Sequence, residues 1–230
     1  MNFKLSLWKK SRTVPLSKAF RKATSIALRS IRPFRDSRSY WDERYAAGGN
    51  SGAGAYDRSA LFKARVLNDF VRTHRVQSVM EHGCGDGHQL SMAEYPRYIG
   101  FDVSNHALAL CRRAFAHDPT KRFLHSDDYA IEQAELTLSL DVIYHLVEDD
   151  VFERYMERLC DSALRFVIIY SSDTDTQDVP QSPHVRHRRF SAWMKEHRPE
   201  WRLIEHLPNE FPLERYPDEG SFSEFFIYAR

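Results

Sequence analysis

The sequence has no apolar run near the roughly 20 residues that a membrane-spanning helix needs, so no part of it reads as a transmembrane segment. It has no C-x-x-C pair: its three cysteines, Cys84, Cys111 and Cys160, are odd in number and widely spaced. A structural zinc site is excluded on that spacing, and the pattern fits free thiols in a reducing, cytoplasmic compartment. Internal repeats are absent. Net charge is nearly absent too, with 33 Lys and Arg against 32 Asp and Glu for a formal +1. What is present is 42% hydrophobic and 13% aromatic residues in 230. That content excludes wholesale disorder and is enough for one full α/β domain with a sizeable core.

The near-zero charge hides a split. Residues 1–36 carry ten basic side chains and a single acid, Asp36, for a net of +9. The remaining residues hold 23 basic and 31 acidic side chains, a net of −8. Phosphate affinity comes from clustered Lys and Arg, so a body of this charge disfavours nucleic acid as a partner. In the leader, apolar residues from Leu16 to Ile31 recur at helical spacing, and Lys18, Arg21, Lys22 and Arg29 lie between them. Charges interrupt any secretory apolar core. The segment suits peripheral docking on an anionic membrane face or on a partner, an organelle transit peptide in a eukaryotic host, or a frayed helix.

Beyond the leader, strand and helix patterns alternate. Apolar residues 61, 64, 67, 70 and 71 predict an amphipathic helix over Ser59–His74. Strands are expected at Gln77–Glu81, Tyr98–Asp102, Arg122–His125, Leu136–Leu140, Phe166–Tyr170, Trp201–Leu207 and Ser223–Ala229. Helices are expected from residue 88 to 94, Asn105–His117, Asp150–Ala163 and Phe190–His197. Strands separated by helices imply parallel βαβ units, hence an α/β, Rossmann-like, doubly wound and mostly parallel sheet. The last two strands have no helix between them, which allows an antiparallel C-terminal hairpin. The chain divides into a basic segment (1–36), an aromatic and glycine-rich lid or linker (37–58) and an α/β domain (59–230).

The first strand runs into Glu81-His82-Gly83-Cys84-Gly85-Asp86-Gly87. A dinucleotide-binding loop reads G-x-G-x-x-G. Here position 88 is His and the third glycine is Gly87, so the pattern is acid-x-G-x-G-x-G. Asp86 in the loop repels a diphosphate and suits a cationic ligand. The second strand ends on another acid, Asp102, whose carboxylate can accept two vicinal hydroxyl protons.

These residues resemble motif I and the following acid of the class I S-adenosylmethionine-dependent methyltransferases, over residue 77 to the end. The resemblance implies a seven-stranded sheet with an antiparallel final hairpin and S-adenosyl-L-methionine as cofactor. It implies cofactor contacts from Glu81, Gly83, Gly85 and Gly87, ribose contacts from Asp102, and adenine contacts from Asp127 and Asp128. Asp141, in Leu138-Ser139-Leu140-Asp141-Val142-Ile143-Tyr144-His145, would stand beside the methyl group. Tyr40–Tyr45 and Gly48–Tyr56 resemble the segment ahead of the core in bacterial methyltransferases encoded among polysaccharide and glycoconjugate genes, which suggests a sugar-hydroxyl acceptor. Tyr40 and Trp41 would stack on adenine or a sugar, or pack on the domain.

A hydroxyl acceptor needs its proton removed, and His145 is the candidate base, with Asp141 orienting it or taking the proton itself. The other reading of His145 is a hydrogen-bonded residue at a helix start. His184, Arg186, His187 and Arg188 form a basic cluster suited to an anionic small-molecule or glycan acceptor, or to pairing with the acidic body. His184 and His187 could ligate a metal with Asp173 or Asp175, but the acid spacing is not diagnostic and no metal is assigned. N-methylation of an amine or protein side chain, and a non-catalytic adaptor that keeps the fold, are the competing functions. Oligomeric state is not legible.

Overall fold

In the sheet, side chains alternate faces, and the central strands show it. Phe166, Ile168 and Tyr170 belong to one apolar cluster, while Val167 and Ile169 belong to a second on the opposite face. The same switch recurs in the final strand, with Phe225 and Ile227 against Phe226 and Tyr228. Strands buried on both faces require helices on both sides. A computed structural model describes residues 33–177, 182–218 and 220–230. The leader helix expected at 16–31 lies outside the described residues.

The strands are β1 (Val79–His82), β2 (Tyr98–Asp102), β3 (Lys121–His125), β4 (Ala134–Leu140), β5 (Ala163–Ser171), β6 (Arg202–Leu207) and β7 (Glu224–Ala229). The helices are α1 (Ser37–Ala46), α2 (Asp57–Thr73), α3 (Asn105–Ala114), α4 (Asp149–Asp161) and α5 (Phe190–His197). One seven-stranded sheet runs β3-β2-β1-β4-β5-β7-β6. The first five strands are parallel, and β7 lies antiparallel to both β5 and β6. The doubly wound sheet and the terminal hairpin stand as the sequence predicts.

Three local expectations are corrected. Leu61 is not on the apolar face of α2: it is 64% exposed, and the buried stripe runs through Ala60, Lys63, Ala64, Leu67 and Phe70. No full helix follows the glycine loop. A single tight turn, Gln89–Met92, ends where Asn68 accepts from the Glu94 N–H and donates to the Met92 carbonyl, both at 2.9 Å. Pro96 then disfavours helix at the residue before it. Within 37–58 the chain forms α1, capped by the Asp36 carboxylate, which accepts from the Ser39 N–H at 2.7 Å. That cap, ahead of desolvation, holds the Asp36 carboxyl below the usual range.

Candidate active site

Strand order changes direction between β1 and β4, since β2 and β3 lie on one side of β1 and β4 and β5 on the other. Open α/β sheets bind ligands beyond the carboxyl ends of the strands at such a point. A cavity of about 510 Å³ opens there, walled by the segments 81–86, 102–103 and 140–142. Its size is that of a small-molecule site.

The loop after β1 is bound to the end of β2, because the Gly83 and Cys84 N–H groups both donate to the Phe101 carbonyl, at 2.7 and 3.0 Å. Gly83 stands at φ +89° and Gly85 at φ +58°, backbone that side chains rarely adopt. Space also forbids a side chain. A Cβ on Gly83 would lie 2.5 Å from Val142 Cγ2, and one on Gly85 would lie 2.4 Å from Ser51 Oγ. Both glycines line the cavity, while Gly87 sits behind it against Cys111.

Asp102 is 6% exposed and lines the cavity. It accepts from the Gly85 N–H on one oxygen and the Ser104 N–H on the other, each at 2.9 Å. Acceptor capacity remains on both oxygens. Burial pushes its carboxyl above the usual range, although those N–H groups oppose the shift. Glu81, 4% exposed, accepts from the Tyr98 hydroxyl at 2.6 Å. Burial pushes its carboxyl up to about 7, against the pull of the Tyr98 hydroxyl and nearby Lys63. Asp127 lines the cavity and forms a two-pronged ion pair with Arg38 of α1. Asp128 does not reach the cavity wall.

Asp86 faces the segment ahead of α2. Its Oδ2 accepts from the Ser51 N–H at 3.0 Å and the Tyr56 hydroxyl at 2.8 Å, and Ser51 Oγ accepts from the Asp86 N–H at 3.1 Å. Burial raises its carboxyl, but these donors outweigh it and hold the group below the usual range. Asp86 therefore fastens residues 50–56 onto the glycine loop. Helix α1 is fastened over the same end of the sheet. Ser37 donates through its N–H and Oγ to Glu148, at 2.9 and 2.6 Å, and Asp42 accepts from Ser104 Oγ at 2.8 Å.

No family model matches the sequence, and no curated protein matches it. Solved structures do. The N-methyltransferase NodS from Bradyrhizobium japonicum WM9, in complex with S-adenosyl-L-homocysteine, matches with a TM-score of 0.65 at 12% identity, over 85% of this chain and 99% of NodS. The magnesium protoporphyrin IX methyltransferase ChlM from Synechocystis PCC 6803, with the same ligand, gives 0.60 at 13% identity, over 84% and 97%. The methyltransferase domain of bacterial CtHen1-C gives 0.57 at 14%, over 73% and 96%. The fold is the one these methyltransferases share.

On the methyltransferase fold of this chain, His145 lies in the tight turn Ile143–His145 after β4 and lines the cavity. Its Nδ1 lies 3.0 Å from the His184 carbonyl. A carbonyl only accepts, so Nδ1 carries the proton and Nε2 keeps the basic lone pair. Burial pushes the imidazole down to about 4, so the ring is neutral near pH 7. Trp41 meets it edge-on, ring centres 4.8 Å apart. The expectation that Asp141 orients His145 is corrected, because the His184 carbonyl does so. Asp141 is occupied by Lys63 Nζ at 2.7 Å on one oxygen, and by the Tyr144 and Ser223 hydroxyls at 3.0 and 2.8 Å on the other.

The basic cluster is also corrected. Arg188 is 8% exposed, and all three arms of its guanidinium are taken: Leu146 carbonyl at 3.0 Å, Asp149 at 2.7 Å and Val147 carbonyl at 2.9 Å. Its Cζ also lies 4.6 Å from the Phe152 ring centre. Arg186 donates to the Val147 carbonyl and pairs with Asp149, both at 2.9 Å. His187 is buried against Ser172 Oγ at 2.7 Å. His184 stacks on Tyr40, ring centres 4.0 Å apart, and burial pushes it down to about 4. None of the four lines the cavity. Arg186, Arg188 and the His184 carbonyl brace the loop after β4.

Lys63 and Gln89 are among the cavity residues that no site motif in the sequence picks out. Lys63, 2% exposed, occupies a buried-stripe position of α2, and a lysine in that register was the available signal. Gln89 donates to the Ala60 carbonyl at 3.1 Å, and its buried Oε1 has no partner. Nothing in the sequence marks it. Among the described residues no group of three or more His, Cys, Asp or Glu could hold a metal ion, and no helix is long and apolar enough to cross a membrane.

Proposed function

We propose that this chain is an S-adenosyl-L-methionine-dependent methyltransferase that acts on a small hydroxylated acceptor, with sugar hydroxyls the first class to test. The observation that carries the reading is Asp102: a buried carboxylate at the end of β2, tied to the glycine loop, with acceptor capacity left beside the cavity. The cavity chemistry fits the cofactor. Eight carboxylate side chains and four Lys or Arg side chains line it, a balance that favours a cationic sulfonium over a diphosphate. The orphaned Oε1 of Gln89 awaits a donor such as an ammonium group. Asp102 would hold the ribose hydroxyls, Glu81, Gly83, Gly85 and Gln89 the methionine end, and Asp127 the adenine side.

When bound, the cofactor supplies a methyl group on sulfur that is open to in-line displacement. The chain supplies position, dryness and a proton acceptor. Trp41, Val142 and Leu146 line the cavity with apolar surface. His145 presents Nε2 as a neutral base. Pushed down to about 4, it is a weak base, suited to an acceptor proton that leaves as the new bond forms.

The test is release of S-adenosylhomocysteine from S-adenosylmethionine over a panel of glycan precursors, other alcohols and amines. Turnover on hydroxyl acceptors supports the reading. Turnover confined to amines replaces it with N-methylation, and binding without turnover on any acceptor favours the adaptor.

A further inference from the structure

An ammonium group survives burial only where a counter-charge and hydrogen bonds compensate its lost hydration. Lys63 lies in the buried stripe of α2 between Ala60 and Leu67, and it reaches the cavity wall beside Glu81. Its Nζ is 2.7 Å from Asp141 Oδ2 and 5.1 Å from the centre of the Tyr170 ring. Asp141 is the first residue after β4 and stands at φ +58°, a left-handed conformation unfavourable for a residue with a side chain. Something must over-determine that turn for it to persist.

The carboxylate of Asp141 is where that happens. Lys63 from α2, Tyr144 from the turn itself and Ser223 from the stretch before β7 all donate to it. Gly54 closes the fourth side: a Cβ there would lie 2.9 Å from Oδ2. The turn that starts at Asp141 shapes the cavity twice. Val142 packs against Gly83 of the cofactor loop. The His145 N–H donates to the Val142 carbonyl at 2.8 Å, which fixes where the imidazole stands. Three hydroxyl and glycine contacts are neutral, so Lys63 is the partner that balances the charge.

We infer that Lys63 is a positioning residue of the active site: its ammonium neutralises Asp141 and locks the left-handed turn after β4 that carries Val142 and His145. Any effect on cofactor affinity rests on the methyltransferase reading. The state of the turn does not.

The experiment compares the full chain with Lys63→Met, Asp141→Asn and the double variant, by amide hydrogen exchange and by calorimetry with S-adenosylhomocysteine. In Lys63→Met, the amides of Asp141, His145 and Leu146 should lose protection about tenfold or more relative to the amides of β5. Affinity should fall by about tenfold as well. The double variant should recover both to within about threefold, because no buried charge is left unpaired. A role confined to global stability would instead lower protection uniformly across the sheet. Uniform loss, unchanged protection in the turn, or a double variant no better than the single would each overturn the inference. Should Lys63→Met fail to fold, Asp141→Asn breaks the same pair from the other side and must show the same local loss. If the wild type binds no S-adenosylhomocysteine, the methyltransferase reading fails while the exchange data still decide the role of Lys63.

Discussion

The acids at the ends of β1 and β2 and the bases at residues 184–188 give the same kind of signal in the sequence, a cluster of strongly hydrated groups of one sign. The fold treats them in opposite ways. Glu81 and Asp102 are buried with partners that leave acceptor capacity at the cavity wall. Arg188 is equally buried, but each arm of its guanidinium already meets a carbonyl or carboxylate of its own chain. Charge in a sequence thus marks where a polar group will need partners. Whether those partners come from the protein or from a ligand is decided by what the neighbouring loops leave unsatisfied.

His145 is where the two regions meet, because it lines the cavity while the backbone of His184 holds its Nδ1. Replacing it with Gln should cut turnover about hundredfold, or about 2.7 kcal/mol, with S-adenosylhomocysteine affinity nearly unchanged. Steady-state kinetics beside calorimetry checks this, and equal turnover would leave the ring a purely structural one. Arg188→Ala should cost about 2 kcal/mol in denaturant unfolding, since it strands the Leu146 carbonyl and uncovers Phe152. Its KM for any acceptor should stay within about twofold; a large rise in KM alone would return Arg188 to the acceptor site.

Acid should weaken the fold through the same buried groups. His82, pushed by burial down to about 3, and His145 and His184, each pushed down to about 4, bind protons in the unfolded chain below about 6.5 but not in the native one. Native stability therefore falls as pH drops below that value. Glu81, held up to about 7, works the other way between about 4.5 and 7, because the native state keeps its proton. Three histidines against one carboxyl leave about two net protons, so stability should fall by up to about 2.7 kcal/mol per pH unit near pH 5.5, the partly exposed His184 contributing least. Urea titrations across pH 5 to 7 measure that slope, and a flat profile would contradict the burial of the histidines. Least affected should be Arg186→Ala, with a half-exposed side chain and a cost of about 0.2–1 kcal/mol.

Much of this fold was legible because its signals are local. The strand periodicity, the glycine spacing and the acid at 102 each arise within a few residues of chain. Helix α1 was not, because its sequence Ser-Arg-Ser-Tyr-Trp-Asp-Glu-Arg-Tyr-Ala shows no apolar stripe. It is held by polar groups far away in sequence: Glu148, Asp127 and Ser104. Lys63 was hidden for the opposite reason, since a periodicity read for apolar residues passes over a lysine that occupies one of their positions. The inward turn of Arg186 and Arg188 depends on carbonyls of the loop after β4, which no pattern within residues 184–188 reveals.

The central claim is that the carboxylate ending β2 belongs to a cofactor site. Isothermal calorimetry with S-adenosylmethionine on the wild type and on Asp102→Ala tests it most directly. Binding by the wild type and a loss of about hundredfold or more in the variant, some 2.7 kcal/mol, is the predicted result. Equal affinities, or no binding to the wild type, would contradict it.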